Sequence, residues 1–282
     1  MQGELEVAGK TTAPAPDAAR DFVLVHGAWH GGWCWEEVGA RLEAAGHRVH
    51  CPTLPGLAER AGELTADLGL ADHITSVIDF VGRHKLSDFV LMGHSYGGMV
   101  ITGVADVMKH RIAHIVYLDA AVPHHGESMV SYGEPRPPEV IAASVAMVRS
   151  LAPDGVAMQA LPPEALGVPA DHPAHTLLQA RMTPHPLKTW LDPIALLHGG
   201  PRDLPRTYLL CTSPMLEHSQ FAHIARLAAV DPEWRYGEIA SGHEAMLTAP
   251  DEVAQHLLDT VRGLRHDTTE QQDYPKAMRT HL

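Results

Sequence analysis

The sequence has few cysteines and no long apolar run, and each shortage excludes a class of protein. Cys34, Cys51 and Cys211 are the three cysteines of the 282-residue chain, and they lie far apart without C-x-x-C spacing. Neither a disulfide framework nor a cysteine-bound metal is therefore indicated, and a reducing, cytoplasmic location is expected. No run of about 18 apolar residues occurs, so no membrane span is predicted.

Basic residues are also scarce relative to acidic ones. The chain has 21 Lys and Arg against 34 Asp and Glu, a formal net charge of −13 with histidines neutral. Such a charge disfavours nucleic acid or an anionic membrane as a partner and suits a protein that acts on a neutral small molecule. The composition leaves the oligomeric state open, a homodimer included.

Six apolar runs alternate with helical patterns along the chain. The runs occupy residues 22–26, 48–52, 88–92, 112–118, 207–211 and 234–240. Continuous apolar strands separated by helices are typical of a mostly parallel sheet that is covered on both faces. The pattern therefore predicts an α/β fold, a three-layer sandwich around a sheet of about six strands.

A proline-rich segment interrupts this alternation. More than half of the 22 prolines lie between residues 123 and 204, which predicts a helical cap inserted after the strand that ends at Asp119. The expected organisation is a flexible N-terminal tail at 1–20, a core at 21–122 and 205–264, the cap at 123–204, and a polar C-terminal tail at 265–282. A cap at this place would enclose a substrate and exclude water. Five of its large side chains are expected either to line an apolar pocket or to form the core of the cap: Met129, Met147, Met158, Met182 and Trp190.

The most specific motif is Gly93-His94-Ser95-Tyr96-Gly97, which lies between an apolar run and a helical pattern. In a strand-turn-helix context, a G-x-S-x-G pentapeptide forms a tight turn that exposes the serine hydroxyl above the sheet. Glycines on both sides of the serine remove side chains where strand and helix approach each other. The motif predicts that Ser95 is a nucleophile.

Two further segments supply partners for this serine. The run that ends at His26 leads into Gly27-Ala28-Trp29-His30-Gly31-Gly32, whose small residues allow backbone N–H groups to face an oxyanion. His243 follows the last apolar run and is a candidate general base. A serine followed by a histidine near the C-terminus is the order found in α/β-hydrolases.

Residues 23–35, 93–99 and 242–247 resemble the small α/β-hydrolases that include plant methylesterases and hydroxynitrile lyases, together with related bacterial ester and carbamate hydrolases. The resemblance covers roughly residues 21 to 263. It implies an α/β-hydrolase fold and an oxyanion hole formed by the backbone N–H groups of Ala28 and Tyr96. The lyases carry Thr where this chain has Gly27 and Lys where it has Glu244, so hydrolysis is favoured over cyanohydrin cleavage.

The acidic member of a Ser-His-acid triad is missing from the position that the resemblance implies. In the plant relatives the acid follows the strand equivalent to 207–211, but residues 212–218 contain no Asp. Asp119, at the end of the run 112–118, is the first candidate to orient the histidine, and Glu217 is the second. The structural alternative for Asp119 is a carboxylate that only caps a turn.

The sequence thus predicts a serine hydrolase that cleaves a small, largely apolar ester, carbamate or lactone through an acyl-enzyme on Ser95, His243 and Asp119. No cofactor is expected. A metal is not expected either, because the match of His243-Glu244 to the zinc motif H-E-x-x-H ends at Leu247. Two alternatives stay open: a small-molecule-binding homologue with little or no turnover, and a hydroxynitrile lyase or perhydrolase on the same triad.

Overall fold

The computed structural model describes residues 19–216 and 219–272, with side chains as far as residue 264. The strands are β1 (Asp21–Val25), β2 (Arg48–His50), β3 (Phe89–His94), β4 (Ile112–Leu118), β5 (Ala157–Met158), β6 (His185–Pro186), β7 (Arg206–Cys211) and β8 (Trp234–Ile239). The α-helices are α1 (Glu36–Ala44), α2 (Leu70–Arg83), α3 (Gly97–Met108), α4 (Pro138–Ser150), α5 (Pro173–Arg181), α6 (Lys188–Leu191), α7 (Phe221–Val230), α8 (Ala245–Thr248) and α9 (Pro250–Gln272). Glu217 and the tail residues 1–18 and 273–282 lie outside the described residues.

Six strands form one parallel sheet in the order β2-β1-β3-β4-β7-β8. Alternate residues of a strand enter different cores. Val23 and Val25 pack with residues of α2, α3 and α7, whereas Phe22 and Leu24 pack with residues of α1 and α9 on the opposite face. Burial on both faces is the reason why these strands appear as continuous apolar runs. The predicted three-layer α/β sandwich is confirmed.

Helix α2 shows how the apolar periodicity becomes a helix. Leu70, Val77 and Val81 are buried along one face, and the side chain of Asp72 accepts the backbone N–H of Gly69 at 2.8 Å, which caps the N-terminus. Helix α9 extends beyond the apolar pattern, so the first residues assigned to the C-terminal tail continue this helix. No helix of the described residues is both long and apolar enough to cross a membrane.

The proline-rich segment between β4 and β7 contains α4, α5, α6 and the two-stranded antiparallel sheet of β5 and β6. The sequence did not predict this sheet, because strands of two residues are too short to show a periodic pattern. A small separate core holds part of the segment together, and its buried residues are Val130, Val148, Ala152, Met158 and Leu187.

One buried histidine in the sheet makes stability depend on pH. His114 of β4 is fully buried, and its Nε2 shares a hydrogen bond of 2.8 Å with Thr207 Oγ1. Nδ1 has no partner among the described residues. Burial lowers the pKa of His114 from 6.5 to about 3, with the charge of Arg235 contributing in the same direction. The folded protein therefore keeps this imidazole neutral.

We expect the pH dependence of stability to become weaker in His114→Gln. Below pH 6.5 the unfolded chain protonates His114 while the folded chain does not, so the unfolded state binds more protons and stability decreases on acidification. The contribution of one such group approaches about 1.4 kcal/mol per pH unit. Urea unfolding at pH 7, 6 and 5 measures this slope for the wild type and the variant. Equal slopes would contradict a neutral, buried His114.

Candidate active site

Three predicted residues meet at one edge of the sheet. Ser95 follows β3, Asp119 follows β4, and His243 lies in the loop after β8. The carboxyl ends of parallel strands share an edge, and open α/β sheets bind their ligands there. Ser95 and His243 line the same cavity.

The turn that carries Ser95 is tight and strained. Ser95 has φ +53°, a left-handed conformation that is rare outside glycine and clusters at functional sites. Its carbonyl accepts the N–H groups of Gly98 at 3.0 Å and Ala121 at 3.1 Å. A Cβ at Gly97 would lie 2.8 Å from the carbonyl oxygen of His26, and one at Gly98 would lie 2.0 Å from that of Ala121. Glycine is therefore required where α3 begins.

Asp119 and His243 form a buried hydrogen bond. Asp119 Oδ2 lies 2.6 Å from His243 Nδ1, and the two side chains are 1% and 3% exposed. The other oxygen, Oδ1, accepts the backbone N–H of Cys211 at 3.4 Å. Asp119 also has a positive φ, +41°, and its N–H donates to Leu209 O at 2.7 Å. The carboxylate is thus held between β4 and β7 and faces the imidazole.

Two aromatic rings pack against the imidazole of His243. The ring of Phe221 stacks on it at 5.3 Å between centroids and an angle of 9°, and the ring of His94 lies at 4.5 Å on a tilt. His94 Nε2 lies 2.9 Å from the carbonyl oxygen of His243. Since that oxygen can only accept, Nε2 carries the proton, consistent with burial lowering the pKa of His94 to about 3. The sequence showed no signal for Phe221, whose contact depends on how α7 packs.

Among the described residues, the two amides expected to form an oxyanion hole have no hydrogen-bond acceptor. Within residues 19–216 and 219–272, no acceptor bonds to the backbone N–H of Ala28 or of Tyr96. Tyr96 is the N-cap of α3, where the helix dipole favours negative charge. The Tyr96 hydroxyl lies 2.9 Å from His73 Nδ1, and His73 Nε2 lies 2.9 Å from the carbonyl oxygen of Pro55. The tyrosine side chain is therefore directed away from the cavity into a hydrogen-bonded core.

The loop that carries Ala28 is tied to the segment between β4 and β7. The N–H of Trp29 donates to His185 Nδ1 at 3.3 Å and its indole N–H donates to Met158 O at 3.2 Å. The carbonyl of Trp29 accepts the N–H of Thr183 at 2.9 Å. Trp29 has φ +65°, so these contacts hold a conformation that a non-glycine residue rarely adopts.

The cavity that contains Ser95 and His243 has a volume of about 240 Å³. Its lining is mostly apolar, and the apolar members are Trp29, Met129, Val130, Met147, Val148, Leu161, Leu166, Trp190, Leu216 and Phe221. Arg136 is the one side chain with a permanent charge among its described lining residues. A larger groove of about 880 Å³ beside α7 contains none of the predicted site residues.

The structure separates the candidate pocket residues into two groups. Met129, Met147 and Trp190 line the cavity, whereas Met158 belongs to the small core of the proline-rich segment and Met182 packs against the main core. The sequence left both roles open for each of them. Unbranched methionine side chains fit either environment, so only the packing distinguishes the two.

Sequence reasoning missed a buried ion pair behind the histidine. Glu244 Oε2 lies 3.1 Å from His30 Nε2, and each side chain is 1% exposed. Burial alone would raise the pKa of Glu244, but the charge and close contact of His30, together with the nearby imidazoles, outweigh it and lower that pKa to about 2. Burial likewise opposes the charged form of His30, and the Glu244 carboxylate outweighs it and raises the pKa. The sequence analysis had used Glu244 only as a departure from the lyases.

A cluster near the site has donor atoms of the types that bind metals. One donor atom each of His94, His243 and Glu244 lies within 4.8 Å of the others. His243 Nδ1 bonds to Asp119 and Glu244 Oε2 lies 3.1 Å from His30 Nε2, whereas His94 Nδ1 has no hydrogen-bond partner among the described residues.

Known proteins that are similar to this chain identify its family. A match to the Alpha/beta hydrolase family extends over residues 22–256. The chain belongs to this family. It is 40% identical over 241 residues to the carbendazim hydrolyzing esterase of Nocardioides sp. (strain SG-4G). The aligned residues cover 84% of this chain and 98% of the relative.

Plant and bacterial relatives extend the comparison. The chain is 36% identical to methylesterase 7 of Arabidopsis thaliana over 106 residues, which cover 37% of this chain and 41% of the relative. An extracellular alpha/beta-hydrolase from a Paenibacillus species has a solved structure with a TM-score of 0.72 and 24% identity, covering 85% of this chain and 98% of that one. The family and its named esterases establish this chain as an ester-cleaving hydrolase of the α/β-hydrolase fold.

We expect Gly98→Ala to destabilise the protein by about 1–3 kcal/mol, since its new Cβ would meet a backbone oxygen that cannot move freely. Gly82→Ala, near the end of α2, is the matched control, because a Cβ there meets nothing within 4 Å. Alanine should stabilise that helix by up to about 1 kcal/mol. Urea unfolding of both variants measures the difference, and equal effects would contradict a sterically closed turn at α3.

Proposed function

We propose that this protein hydrolyses a small, largely apolar ester through an acyl-enzyme on Ser95, with His243 as general base and Asp119 as the residue that orients it. The observation that carries the proposal is the buried Asp119–His243 hydrogen bond of 2.6 Å beside the cavity that Ser95 lines. A carboxylate that only capped a turn would not need to face an imidazole.

The hydrogen bond decides which nitrogen acts as the base. Nδ1 of His243 donates its proton to Asp119, so the neutral ring has an unprotonated Nε2, which is free to take the proton of Ser95. Attack on the ester carbonyl forms a C–O bond to Ser95, and the histidine returns the proton to the leaving alcohol. Water activated by the same nitrogen then releases the acid.

The free amides of Ala28 and Tyr96 supply the second element of the mechanism. Both are proposed to donate to the oxygen that becomes negative when the carbonyl is attacked. Donors that are in place before reaction need no reorganisation at the transition state, and the loss of one such donor costs about 10²–10³ in kcat. The ties between the Trp29 loop and the neighbouring segment support this preorganisation.

The cavity limits the substrate. Its volume of about 240 Å³ is below the about 300–1,000 Å³ of common ligand pockets, and its apolar lining favours small uncharged groups. A carbamate is the second candidate substrate, because the carbendazim hydrolyzing esterase aligns with this chain over nearly its full length. Arg136, with no carboxylate among the described lining residues, disfavours a cationic substrate.

The same geometry disfavours the two alternative functions, a lyase and a binding protein without turnover. A lyase would need a cation beside the histidine to hold cyanide, but the residue there is the carboxylate of Glu244, paired with His30. A binding protein without turnover needs neither the Asp119–His243 bond nor free amides. We further propose a cytoplasmic protein whose partner is the small-molecule substrate, not nucleic acid or a membrane, and that needs no cofactor.

We expect Ser95→Ala to abolish the hydrolysis of p-nitrophenyl acetate and butyrate at pH 7 to 8, with a loss of at least about 10⁴-fold in kcat. Ser150→Ala, which changes an exposed serine at the end of α4, is the matched control and should keep wild-type turnover. Initial rates from p-nitrophenolate release measure both. Equal turnover in wild type and Ser95→Ala would refute the serine hydrolase proposal and favour the binding or lyase alternatives.

Asp119→Asn should lower kcat by about 10⁴-fold, because the amide cannot hold the histidine in the required tautomer. The comparison variant is Glu217→Gln, the second candidate acid, for which a change of a few-fold is expected. Steady-state kinetics on p-nitrophenyl butyrate distinguish the two. A loss of several hundred-fold in Glu217→Gln with a small loss in Asp119→Asn would transfer the role to Glu217.

A further inference from the structure

The buried pair of His30 and Glu244 connects the two loops that the proposed mechanism requires side by side. Glu244 directly follows His243, and His30 lies two residues after Ala28. Their side chains approach to 3.1 Å and are each 1% exposed. Burying two charged side chains costs free energy unless the two lie close together and make further hydrogen bonds.

The second nitrogen of His30 supplies such a bond. His30 Nδ1 lies 2.6 Å from the carbonyl oxygen of Ala28. A carbonyl can only accept, so Nδ1 must carry a proton and donate it. The other nitrogen faces the Glu244 carboxylate. Nε2 and Glu244 Oε2 do not meet hydrogen-bond geometry. Burial opposes the charged imidazole, but the adjacent carboxylate and the Ala28 carbonyl together outweigh it, raise the pKa of His30 and favour its doubly protonated form.

These contacts orient the peptides of the oxyanion loop. His26 Nδ1 lies 2.8 Å from the carbonyl oxygen of Gly27, and in a trans peptide the N–H of Ala28 points in the opposite direction. His30 holds the next carbonyl, that of Ala28, while His185 accepts the N–H of Trp29 from the same peptide. Both peptide planes around Ala28 are therefore held by side chains, and only His30 is linked onward to the loop of the base.

We propose that His30 and Glu244 are positioning residues, which clamp the oxyanion loop to the His243 loop and so keep the Ala28 amide in register with the base. This inference rests on the proposed serine hydrolase function. The clamp acts in the transition state, when negative charge appears on the substrate oxygen and His243 becomes protonated. Loosening the clamp would lower kcat more than it would weaken substrate binding. The uncharged carbonyl of the bound ester needs the Ala28 amide much less than the negatively charged transition state does.

The clamp also places a negative charge near the base. Donor atoms of Glu244 and His243 lie within 4.8 Å of each other. The other titratable groups described around His243 are Asp119 and His94. The remaining titratable side chains around Glu244 are His30 and two buried thiols, Cys34 and Cys211, whose pKa values burial raises. The Glu244 carboxylate therefore lies beside the base as well as beside the oxyanion loop.

The test is Glu244→Gln, which keeps the size of the side chain and removes its charge. We expect kcat for p-nitrophenyl butyrate to fall at least about 10-fold, approaching the about 10²-fold loss of an oxyanion donor, with KM changed less than about 2-fold. A trifluoromethyl ketone analogue should bind more weakly by a similar factor. His30→Gln should cause a similar loss of kcat, and the double variant no more than either single one.

Asp21→Asn is the matched control. Asp21 also pairs with a histidine, His50, at 2.9 Å, but at the start of β1, on the opposite edge of the sheet. It should lower stability and leave kcat unchanged. If Glu244→Gln behaves in the same way, with an unchanged kcat and unchanged binding of the trifluoromethyl ketone, the pair is only structural and the proposal fails. Absence of Ser95-dependent turnover in the wild type would overturn both proposals, whereas such turnover beside an unaffected Glu244→Gln overturns this one alone.

Discussion

A parallel sheet that is covered by helices on both faces leaves only its strand ends open, and this constraint decides where chemistry can occur in this chain. The strands β1, β3 and β4 are almost entirely buried, so polar side chains along them would have to be desolvated. At the carboxyl edge the backbone is released from the sheet. Ser95, Asp119 and His243 all lie at that edge, each contributed by a different strand end, and the cavity forms above it.

The released backbone is strained at this edge. Trp29, Ser95 and Asp119 all have positive φ values, and each such conformation costs about 1–3 kcal/mol in a residue other than glycine. Local hydrogen bonds maintain them: the Ser95 carbonyl accepts two N–H groups, and Asp119 and Trp29 are each bonded to neighbouring segments. The same bonds restrict the side chains to the directions that the proposed chemistry uses.

Buried histidines around the site take opposite protonation states because of their partners. Burial lowers the pKa of His26 to about 3 and that of His73 to about 4, so each is neutral, with one nitrogen facing a carbonyl oxygen and the other engaged by a donor. His30 is equally buried, but a carboxylate faces one nitrogen and a carbonyl the other. Residue type and burial are therefore insufficient to assign charge here; the hydrogen-bond partners determine it.

The sequence by itself determined the elements whose signals are local. Strand and helix periodicity predicted the sheet and its helices. The G-x-S-x-G turn located Ser95, and the end of an apolar run located Asp119, which lies against His243 even though the role of this pair stays a prediction. Only the tertiary structure decided that Phe221 covers the imidazole, that Glu244 pairs with His30, and that Met129 but not Met158 reaches the cavity. The physical reason is that periodicity and turn chemistry act between near neighbours in the chain, whereas these contacts join residues far apart in sequence and exist only once the helices have packed on the sheet.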